Sequence, residues 1–599
     1  MQLPSLLIAA NRAIAQGDLL RAAELLAEAL ALDAQNPQIS RAYAQVQGNL
    51  SARLLKAGDA IGAQKSAERA LAVDTKQVIA RFNLAGAFAA LKLWPQAAEH
   101  YGLLHRQVPQ DREIAALHEH ANWQLGEALA LENQSAPARK CFASVPGLRA
   151  RIAAALCLPY VHENEAHRVA ERARYQQAIA ALAEGFTPQA LKRTPADLDA
   201  LRWSNFLLAY QGENDCELQS IYGDLLAAAV QAWFPQWCVA QPAVRGRVLL
   251  VSSGFRQCTI GAYFGAWIGA LRGAGYEVEV YQIGPVHDSF TAELIAQASR
   301  GAVLGGSTTR LAAQLRERRA ELLIYPELGM DERLLALASL RLARVQTCAW
   351  GHPVTSGLPS MDGYFSCAAM EPADADSHYR ERLLLLPGLG TRYLAPAAPK
   401  LRTRSDLGLP EGPLALIPQA PFKLLPRNDL RLIELAESAP AVRFVLFEGE
   451  SAGMTAALQT RLRAAFSARD LAPDRLIWLA TTDRTNFLEI CAACDLNLDS
   501  ASFSGGNTTL DALIAGLPVV TRADTFMRGR QSAAMLNMLG LDAFACASES
   551  ELLARASALL RNGQLQAETR ARIRANLPAL LAEEHALDTL CTLVAELLN

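Results

Sequence analysis

The sequence predicts an all-α helical array followed by two doubly wound α/β domains. Three observations lead to this fold class: a degenerate helical repeat in the first 150 residues, and two successive sets of short apolar strands that alternate with helical patterns. The chain has 599 residues, which is too long for a single hydrophobic core. Its apolar content of 51% and charged content of 20% are those of a globular protein.

The N-terminal repeat is identified by Gly-Asp pairs that return in a similar context. "AQGDLLRAAELLAEALALD" (15–33) is followed by "KAGDAIGAQKSAERALAVD" (56–74), with the Gly-Asp pairs 41 residues apart. Weaker copies occupy 92–111 and 133–147. The next spacing is about 35 residues, which is close to the tetratricopeptide period, and small residues lie where helices cross, as in tetratricopeptide-like helix pairs. The sequence therefore predicts such repeats over residues 1–150, with a generic helical bundle as the alternative.

Stacked helix pairs leave a continuous concave face that suits an extended segment or a partner helix. We therefore expect the array to hold a partner protein and to carry no chemistry of its own. Residues 151–243 are predicted to form further helices that lead from the array into the next domain.

Two sets of predicted strands follow Pro242. The strands of the first set are "GRVLLVSS" (246–253), "YEVEVYQI" (276–283), "AELLIYPEL" (320–328), "RVQTCAW" (344–350) and "ERLLLLPG" (381–388). The second set, after a Pro- and Lys-rich break, consists of "LALIPQ", "VRFVLFEGE", "DRLIWLAT", "LNLDS" and "LPVVTR". Strands alternating with helices predict mainly parallel sheets with both faces covered. The predicted domains are 244–398 and 399–599, the second including the C-terminal helices. In such sheets ligands bind beyond the carboxyl ends of the strands, so we expect a cleft shared by the two domains.

Composition excludes several classes of function. The net charge of -3 gives no reason to expect a nucleic acid partner. Eleven cysteines without framework spacing suit a reducing compartment, and Cys491 and Cys494 are predicted to be buried thiols rather than zinc ligands. The first residues lack the basic start and cleavage site of a secretion signal, and no apolar run is long enough for a membrane span. We therefore expect a cytoplasmic protein with no membrane partner.

The first candidate site is the loop "ASFSGGNTT", which lies between a predicted strand and a predicted helix. Free backbone N–H groups and the helix dipole favour an anion at such a position. Gly505 and Gly506 allow a close approach, and Asn507, Thr508 and Thr509 have side chains that donate to phosphate oxygens. Simple capping of the helix by Asn or Thr is the alternative.

Asp511 lies one turn into the same helix. A carboxylate there would repel a phosphate, so the position favours a contact with sugar hydroxyl groups, as in ribose-binding acids. Lys423 lies in "PQAPFKLLPRND" (418–429), after the first strand of the second domain. Its compact positive charge suits a diphosphate leaving group, whereas the alternative is an ordinary surface lysine.

The loop "WGHPVTSGLPSMDGYFSC" (350–367) also follows a predicted strand and contains His352. A histidine at a strand end binds substrate or transfers protons, or it is bonded to the backbone in a structural role. The residues themselves leave both interpretations open.

The order of these motifs resembles a glycosyltransferase family. That family contains eukaryotic O-linked N-acetylglucosamine transferase, plant SPINDLY, flagellin-modifying relatives and bacterial cytoplasmic N-glucosyltransferases. The resemblance covers essentially the whole chain and rests on "VSSGF", "WGHPVTSGLPSMDGYF", "PFK" and "GGNTTLDALIAGLPVV". It implies the GT-B fold and an inverting, metal-independent enzyme without a cofactor, which moves a sugar from a nucleoside diphosphate to a protein side chain.

The resemblance also implies roles for individual residues. Lys423 corresponds to the lysine that contacts the donor diphosphate, residues 507–509 to the loop that caps it, and Asp511 to the acid at the ribose. His352 corresponds to a histidine of the asparagine-modifying branch, where the O-linked branch has tyrosine. The first α/β domain would face the acceptor, and the second would bind the nucleotide-sugar. The other implied donor- or acceptor-binding residues are Gly351, Thr355, Ser356, Gly357 and Gln419.

One departure from the family concerns "VSSGFRQCTIGAY". Gly254 stands where the family has an acid, and Cys258 and Ala262 stand where histidines are expected. This loop therefore offers no proton acceptor. Either another group serves, or the acceptor needs no strong base, or the protein does not catalyse transfer.

The predicted function is a protein glycosyltransferase, with UDP-hexose or UDP-N-acetylhexosamine as the donor that the family uses most. A flagellin-type enzyme with a GDP- or CMP-linked sugar is the first alternative. A non-catalytic tetratricopeptide adaptor with a degenerate sugar-nucleotide module is the second. The acceptor side chain is Asn or Ser/Thr, because His352 favours the first and the repeats favour the second.

Overall fold

A computed structural model describes residues 2–393, 396, 399–400, 402–582 and 584–599. The chain separates into two compact units: Met1–Ala130 with Gln134–Cys157, and Leu131–Asn133 with Leu158–Asn599. The predicted boundary between the two α/β domains, after residue 398, falls on a position outside the described residues.

The N-terminal unit is entirely helical in its described part. Its helices pack as successive antiparallel pairs through small side chains, among which Ala22, Ala29, Ala44, Ala67 and Ala70 are fully buried. The predicted helical array is therefore confirmed, while its assignment as tetratricopeptide repeats stays a prediction. The helices are α1 Gln2–Ala15, α2 Leu19–Leu32, α3 Pro37–Lys56, α4 Ala60–Val73, α5 Val78–Ala90, α6 Trp94–Gln107, α7 Arg112–Leu131, α8 Ser135–Ala143 and α9 Leu148–Leu156.

The repeated Gly-Asp pairs form the turns between the two helices of a pair. Gly17 and Gly58 adopt positive φ angles of 75° and 85°, which a residue without a Cβ adopts at little cost. Asp18 and Asp59 then cap the next helix, and Asp59 Oδ1 accepts from the Gly62 amide at 2.8 Å. The repeat in the sequence therefore encodes a repeated turn.

The third turn keeps this geometry without its preferred residues. Lys92 adopts a φ of 58°, and Leu93 occupies the cap position without a side-chain hydrogen bond. The third copy is therefore hard to recognise in the sequence, because it lacks the Gly-Asp pair, although its turn has the same backbone geometry.

The larger unit contains a helical region followed by two sheets. Its helices are α10 Glu165–Gly185, α11 Pro188–Lys192, α12 Cys216–Trp233, α13 Thr259–Gly273, α14 Ser289–Gln297, α15 Thr308–Glu317, α16 Glu332–Ala338, α17 Pro426–Ser438, α18 Ala452–Ser467, α19 Arg484–Ala493, α20 Asn507–Ile514, α21 Gln531–Met538, α22 Glu549–Arg561, α23 Gly563–Leu581 and α24 Glu584–Leu598.

The strands of this unit divide into two sheets. They are β1 Arg247–Ser252, β2 Glu277–Ile283, β3 Arg300–Leu304, β4 Leu322–Tyr325, β5 Val345–Ala349, β6 Gly363–Cys367, β7 Arg382–Leu386, β8 Leu414–Ile417, β9 Arg443–Phe447, β10 Leu476–Leu479, β11 Leu496–Leu498, β12 Val519–Arg522 and β13 Ala545–Cys546.

The strand pairing is parallel throughout the described part of both sheets. The first sheet has the order β3-β2-β1-β4-β5-β6-β7, and the second has the order β10-β9-β8-β11-β12-β13. We call the first sheet with its helices the first lobe, and the second sheet with its helices the second lobe. In both lobes the strand order reverses beside the first strand, as in doubly wound folds. The two predicted parallel sheets are therefore confirmed.

Three features depart from or extend the sequence interpretation. The prediction missed β3 because it is a short, partly exposed edge strand, and it placed β6 inside the loop 350–367. The final helix, α24, packs against α13 and β7 of the first lobe although it follows the second lobe in sequence.

Cys491 and Cys494 are free and buried, as predicted. None of the described helices combines the length and apolar character that a bilayer-spanning segment requires.

Replacing Asp59 with alanine is expected to loosen the first turn of α4. The substitution leaves a helix-end amide without its side-chain acceptor, which costs about 1 kcal/mol of local stability. Hydrogen exchange at the first amides of α4 measures the effect. Asp59→Asn retains an accepting oxygen and is the matched control. Equal exchange rates in the alanine and asparagine variants would contradict the capping role.

Candidate functional site

A cavity of about 960 Å³ lies between the two lobes of the larger unit. Loops after β1 and β2 line it from the first lobe, and loops after β8, β9, β10 and β11 line it from the second. The cleft expected at the carboxyl ends of the strands is therefore present. Its volume is in the range of small-molecule and cofactor sites.

The N-terminus of α20 forms part of this cavity wall. Asn507 and Thr508 line the cavity, and Gly506 at the helix start provides no side chain to cap the helix. The amides of the first turn have no intrahelical acceptor, so they present partial positive charge at this wall. Gln419 also lines the cavity and donates from Nε2 to Thr508 Oγ1 at 3.2 Å.

The two glycines before α20 are required by close packing. A Cβ on Gly505 would lie 2.2 Å from Thr509 Oγ1, and one on Gly506 would lie 2.6 Å from Gln531 Oε1. The Gly505 amide donates to Asp499 Oδ1 at 2.9 Å, and the hydroxyl groups of Thr509 and Ser532 are 2.7 Å apart. These contacts hold the loop so that its main chain meets the cavity.

Asp511 lines the cavity but already has hydrogen-bond partners. Arg484 Nη2 donates to Asp511 Oδ1 at 2.5 Å, and Asn507 Nδ2 donates to Asp511 Oδ2 at 2.9 Å. Burial raises the pKa of Asp511, although Arg484 and Asn507 act in the opposite direction. Oδ1 keeps one lone pair for a ligand hydroxyl group. A contact with ribose is compatible with the ion pair only through that position.

Lys423 lies beside the cavity rather than among its lining residues. It ends a short helical turn, Pro421–Lys423, and its Nζ lies 4.5 Å from the centroid of the Phe503 ring. The side chain is half-buried, and burial lowers the pKa of Lys423 to about 8, while the carboxylate of Asp499 opposes this shift. The neighbouring Phe422 does line the cavity.

His352 is buried away from the cavity lining. It is 2% exposed, and its ring stacks on Phe206 at a centroid distance of 5.6 Å. Gly329 leaves room for it, since a Cβ there would lie 2.6 Å from His352 Cδ2. Burial lowers the pKa of His352 to about 3, and the charge of Arg528 acts in the same direction. Nε2 is buried without a hydrogen-bond partner in the described part of the chain.

The loop after His352 is held by a buried carboxylate. Thr355 Oγ1 and the Ser356 amide donate to Glu381 at 2.5 and 2.8 Å. Gly357 packs closely on α12, where a Cβ would meet Gln219 O at 2.1 Å. None of these three loop residues lines the cavity.

Gly351 also serves close packing, since a Cβ there would lie 2.5 Å from Pro326 O. It does not line the cavity either. The structure thus brings Gln419, Asn507, Thr508 and Asp511 to the cavity, and it leaves the 351–357 residues in the surrounding wall.

The first-lobe positions that depart from the family do lie at the cavity. Cys258 and Ala262 line it from the start of α13, together with Gly261, Gly265 and Ala266. Cys258 Sγ donates to Gly254 O at 3.3 Å. Small side chains therefore form the part of the wall at the start of α13, and neither family position carries an imidazole or a carboxylate.

Several residues of the site were missed in the sequence. Arg484 starts α19 directly after the loop that follows β10. Because ligands bind beyond the carboxyl ends of parallel strands, its position in the sequence could have identified it. Tyr393 donates to Asn507 Oδ1 at 2.6 Å and accepts from Arg484. Tyr393 gave no local signal, because it lies after the first lobe and contacts the second.

Two plant proteins are similar to this chain in sequence. No family model matches the chain. A curated rice protein (Oryza sativa subsp. japonica), described as a probable UDP-N-acetylglucosamine–peptide N-acetylglucosaminyltransferase SPINDLY, is 22% identical over 277 residues. The SPINDLY protein of Eustoma exaltatum subsp. russellianum, with the same description, is 23% identical over 254 residues. These matches span 45% and 42% of the chain, but only 29% and 27% of those relatives' own length.

The chain also resembles a solved structure over most of its length. A mutant of the O-GlcNAc transferase from Thermobaculum terrenum superposes with a TM-score of 0.58 at 19% identity. The match covers 93% of this chain and 97% of that one. The fold class predicted from the sequence, a helical array with a GT-B pair of domains, is thereby confirmed. The predicted resemblance to the SPINDLY and O-GlcNAc transferase family is confirmed as well, and these relatives are named as glycosyltransferases.

Burial of His352 as a neutral ring is expected to make stability depend on pH. The folded-state pKa of about 3 lies below the ordinary value of 6.5, so the unfolded chain binds more protons in this interval. Stability contributed by neutral His352 is present above pH 6.5 and is lost as the pH falls toward 3. Thermal unfolding between pH 7 and 5 measures this loss.

The variant His352→Gln removes the titrating group, so we expect a smaller decrease in melting temperature over that interval. The same substitution at His287, which is exposed, is the control and should leave the acid dependence unchanged. An unchanged acid dependence in His352→Gln would contradict the neutral, buried state.

Proposed function

We propose that this relative of the SPINDLY and O-GlcNAc transferase proteins transfers a sugar from a nucleotide donor to a protein side chain. The observation that carries the proposal is the uncapped N-terminus of α20, which opens onto a 960 Å³ cavity at the carboxyl ends of two parallel sheets. This is where such folds bind nucleotides. The donor diphosphate would lie against the first-turn amides of α20.

The chemistry assigned to this site is mainly electrostatic. When the bond between the anomeric carbon and the diphosphate oxygen breaks, negative charge grows on the diphosphate. The amides of α20 and the ammonium group of Lys423 would stabilise that charge without reorganisation. The acceptor side chain would attack from the first-lobe side, opposite the departing diphosphate, which inverts the anomeric centre. As the new bond forms, the acceptor's proton would pass to an oxygen of the departing diphosphate or to water.

The proposed substrates are those that the resemblance to the transferase family implies. We propose a UDP-hexose or UDP-N-acetylhexosamine as the donor, and an Asn or Ser/Thr side chain of a protein held by the helical unit as the acceptor. Arg484 and Asp511 lie on the wall where the ribose would meet the second lobe. Incubation of the protein with UDP-, GDP- and CMP-linked sugars, with melting temperature and nucleotide release both recorded, tests the donor class.

A second candidate function is a sugar-nucleotide sensor that does not catalyse transfer. The small residues Cys258 and Ala262 favour it, because no general base occupies these positions on the cavity wall. Donor binding without nucleotide release in the presence of acceptor proteins would support the sensor and exclude the transferase.

Replacing Lys423 with methionine is expected to reduce transfer at least a hundredfold. Loss of one preorganised contact to a developing anion costs about 3–4 kcal/mol of barrier, and methionine retains most of the side-chain volume. Initial rates at saturating donor measure the effect. Lys400→Met, at an exposed lysine outside the cavity, should retain the wild-type rate. Equal rates for the two variants would exclude Lys423 from the reaction.

Transfer is expected to proceed without a divalent metal. Among the described residues, no group of three or more His, Cys, Asp or Glu side chains is arranged to hold a metal ion. The positive charge for the diphosphate would instead come from Lys423 and the α20 amides. Rates measured in EDTA and in added Mg²⁺ should agree, and a strict requirement for Mg²⁺ would contradict the proposed electrostatics.

A further inference from the structure

A short turn of the helical region places aromatic rings between the two lobes. Phe206–Gln211 forms a 3-10 turn between α11 and α12. Phe206 contacts His352 of the first lobe at 5.6 Å and Phe422 of the second lobe at 5.6 Å, measured between ring centroids. Tyr210 stacks on Phe503 of the second lobe at 4.5 Å with an interplanar angle of 27°. We call Phe206, Tyr210, His352, Phe422 and Phe503 the aromatic junction.

The Phe503 ring of the aromatic junction lies beside the ammonium group of Lys423. Lys423 Nζ lies 4.5 Å from the Phe503 centroid, within the range of a cation–π contact. Tyr210 stacks on that same Phe503 ring and also contacts Phe422, the residue before Lys423, at 4.7 Å. Tyr210 thus contacts Phe422, which precedes Lys423 in the sequence, and Phe503, which lies next to the Lys423 ammonium group in space.

The turn that carries Tyr210 is tied to both lobes by polar contacts. Ser204 Oγ donates to Gly329 O in the first lobe. Asp215, just before α12, accepts from Arg528 Nη2 of the second lobe at 3.1 Å, and its side chain is fully buried. Such a doubly anchored turn resists displacement, so its rings are held in a defined place against Phe503.

The charged surroundings of Lys423 are sparse. The described residues give its Nζ no ion pair or hydrogen bond, and Asp499 is the charged group that acts on it. Asp499 is itself bonded to the Gly505 amide and to Thr521 Oγ1. The position and hydration of the ammonium group therefore depend on the neighbouring rings more than on counter-charges.

We propose that Tyr210, a residue of the helical region, is a positioning residue for Lys423: it fixes the Phe503 ring and excludes water from the ammonium group that binds the leaving diphosphate. The inference rests on the proposed function in assigning Lys423 to the diphosphate. It extends that function by making the helical region part of the donor site rather than a connection between domains.

The proposal has a measurable signature, because exclusion of water lowers the pKa of Lys423 to about 8. Transfer requires the charged amine, so the wild-type rate should fall as the pH rises through 8. Without the Tyr210 ring, water reaches Nζ and the pKa moves toward its ordinary value of 10.5. The alkaline limb of the rate profile should then move to higher pH even as the rate at pH 7 falls.

The experiment uses the full chain labelled with [13Cε]lysine. Because the chain has only eight lysines, the NMR spectrum contains few signals. Tyr210→Leu keeps an apolar side chain but removes the stacking, and Lys423→Met identifies the Lys423 signal. In Tyr210→Leu we expect the Lys423 pKa to rise by about one unit and the alkaline limb of transfer to move with it. Tyr210→Phe keeps the ring and should restore both values.

Tyr325→Leu is the matched control, because Tyr325 is a fully buried tyrosine of β4 outside the aromatic junction. It should leave the Lys423 pKa unchanged even if it lowers stability. An equal Lys423 pKa in wild type and in Tyr210→Leu overturns the inference, whatever happens to the rate. A shifted pKa in a protein that turns over no donor supports the placement of Tyr210 and overturns the proposed function instead.

Discussion

The parallel alignment of the strands in both lobes is the constraint on which the rest of this site depends. In a parallel sheet each strand is followed by a crossover, so loops and helix N-termini gather at the carboxyl edge. The edges of both sheets border the same cavity, and α13 and α20 begin at that cavity from opposite lobes. Main-chain amides and the positive ends of helices therefore favour an anion there before any side chain is considered.

The side chains at this edge differ mainly in whether their charge is already neutralised. Arg484 is paired with Asp511, and Arg528 is paired with Asp215. Lys423 instead lies over an aromatic ring, with its charge balanced only by the more distant Asp499. An ammonium group in such surroundings interacts strongly with an incoming anion, because little of its field is cancelled beforehand. The absence of an ion pair among the described residues, rather than burial, distinguishes Lys423 from these two arginines.

The first-lobe wall makes a different contribution. Cys258, Ala262 and the neighbouring glycines present little volume and no titrating base at the family positions, while Asp288 and Arg392 also line the cavity on this side. Stabilising a leaving group and removing a proton from an acceptor are separate contributions to a transfer reaction. The second lobe and the helical region carry the groups suited to the first contribution.

The sequence by itself determined the helix pairs, the succession of strands and helices, and the loops that follow the strands. Local periodicity encodes these elements, and turn residues such as Gly58 and Asp59 encode their ends. It also located the α20 loop with Asn507 and Thr508, because a strand, two glycines and a helix are consecutive in the chain. The short strands β3 and β6 were missed, since their pairing with neighbouring strands, rather than their own pattern, makes them strands.

Only the tertiary structure decided which of the candidate side chains line a ligand cavity and which are held in contacts with other residues of the protein. His352 is buried against Phe206, Thr355 and Ser356 bind Glu381, and Asp511 is paired with Arg484. The aromatic junction around Lys423 joins residues from three parts of the chain. Burial, charge pairing and pKa depend on neighbours that are distant in sequence, and folding alone brings those neighbours together.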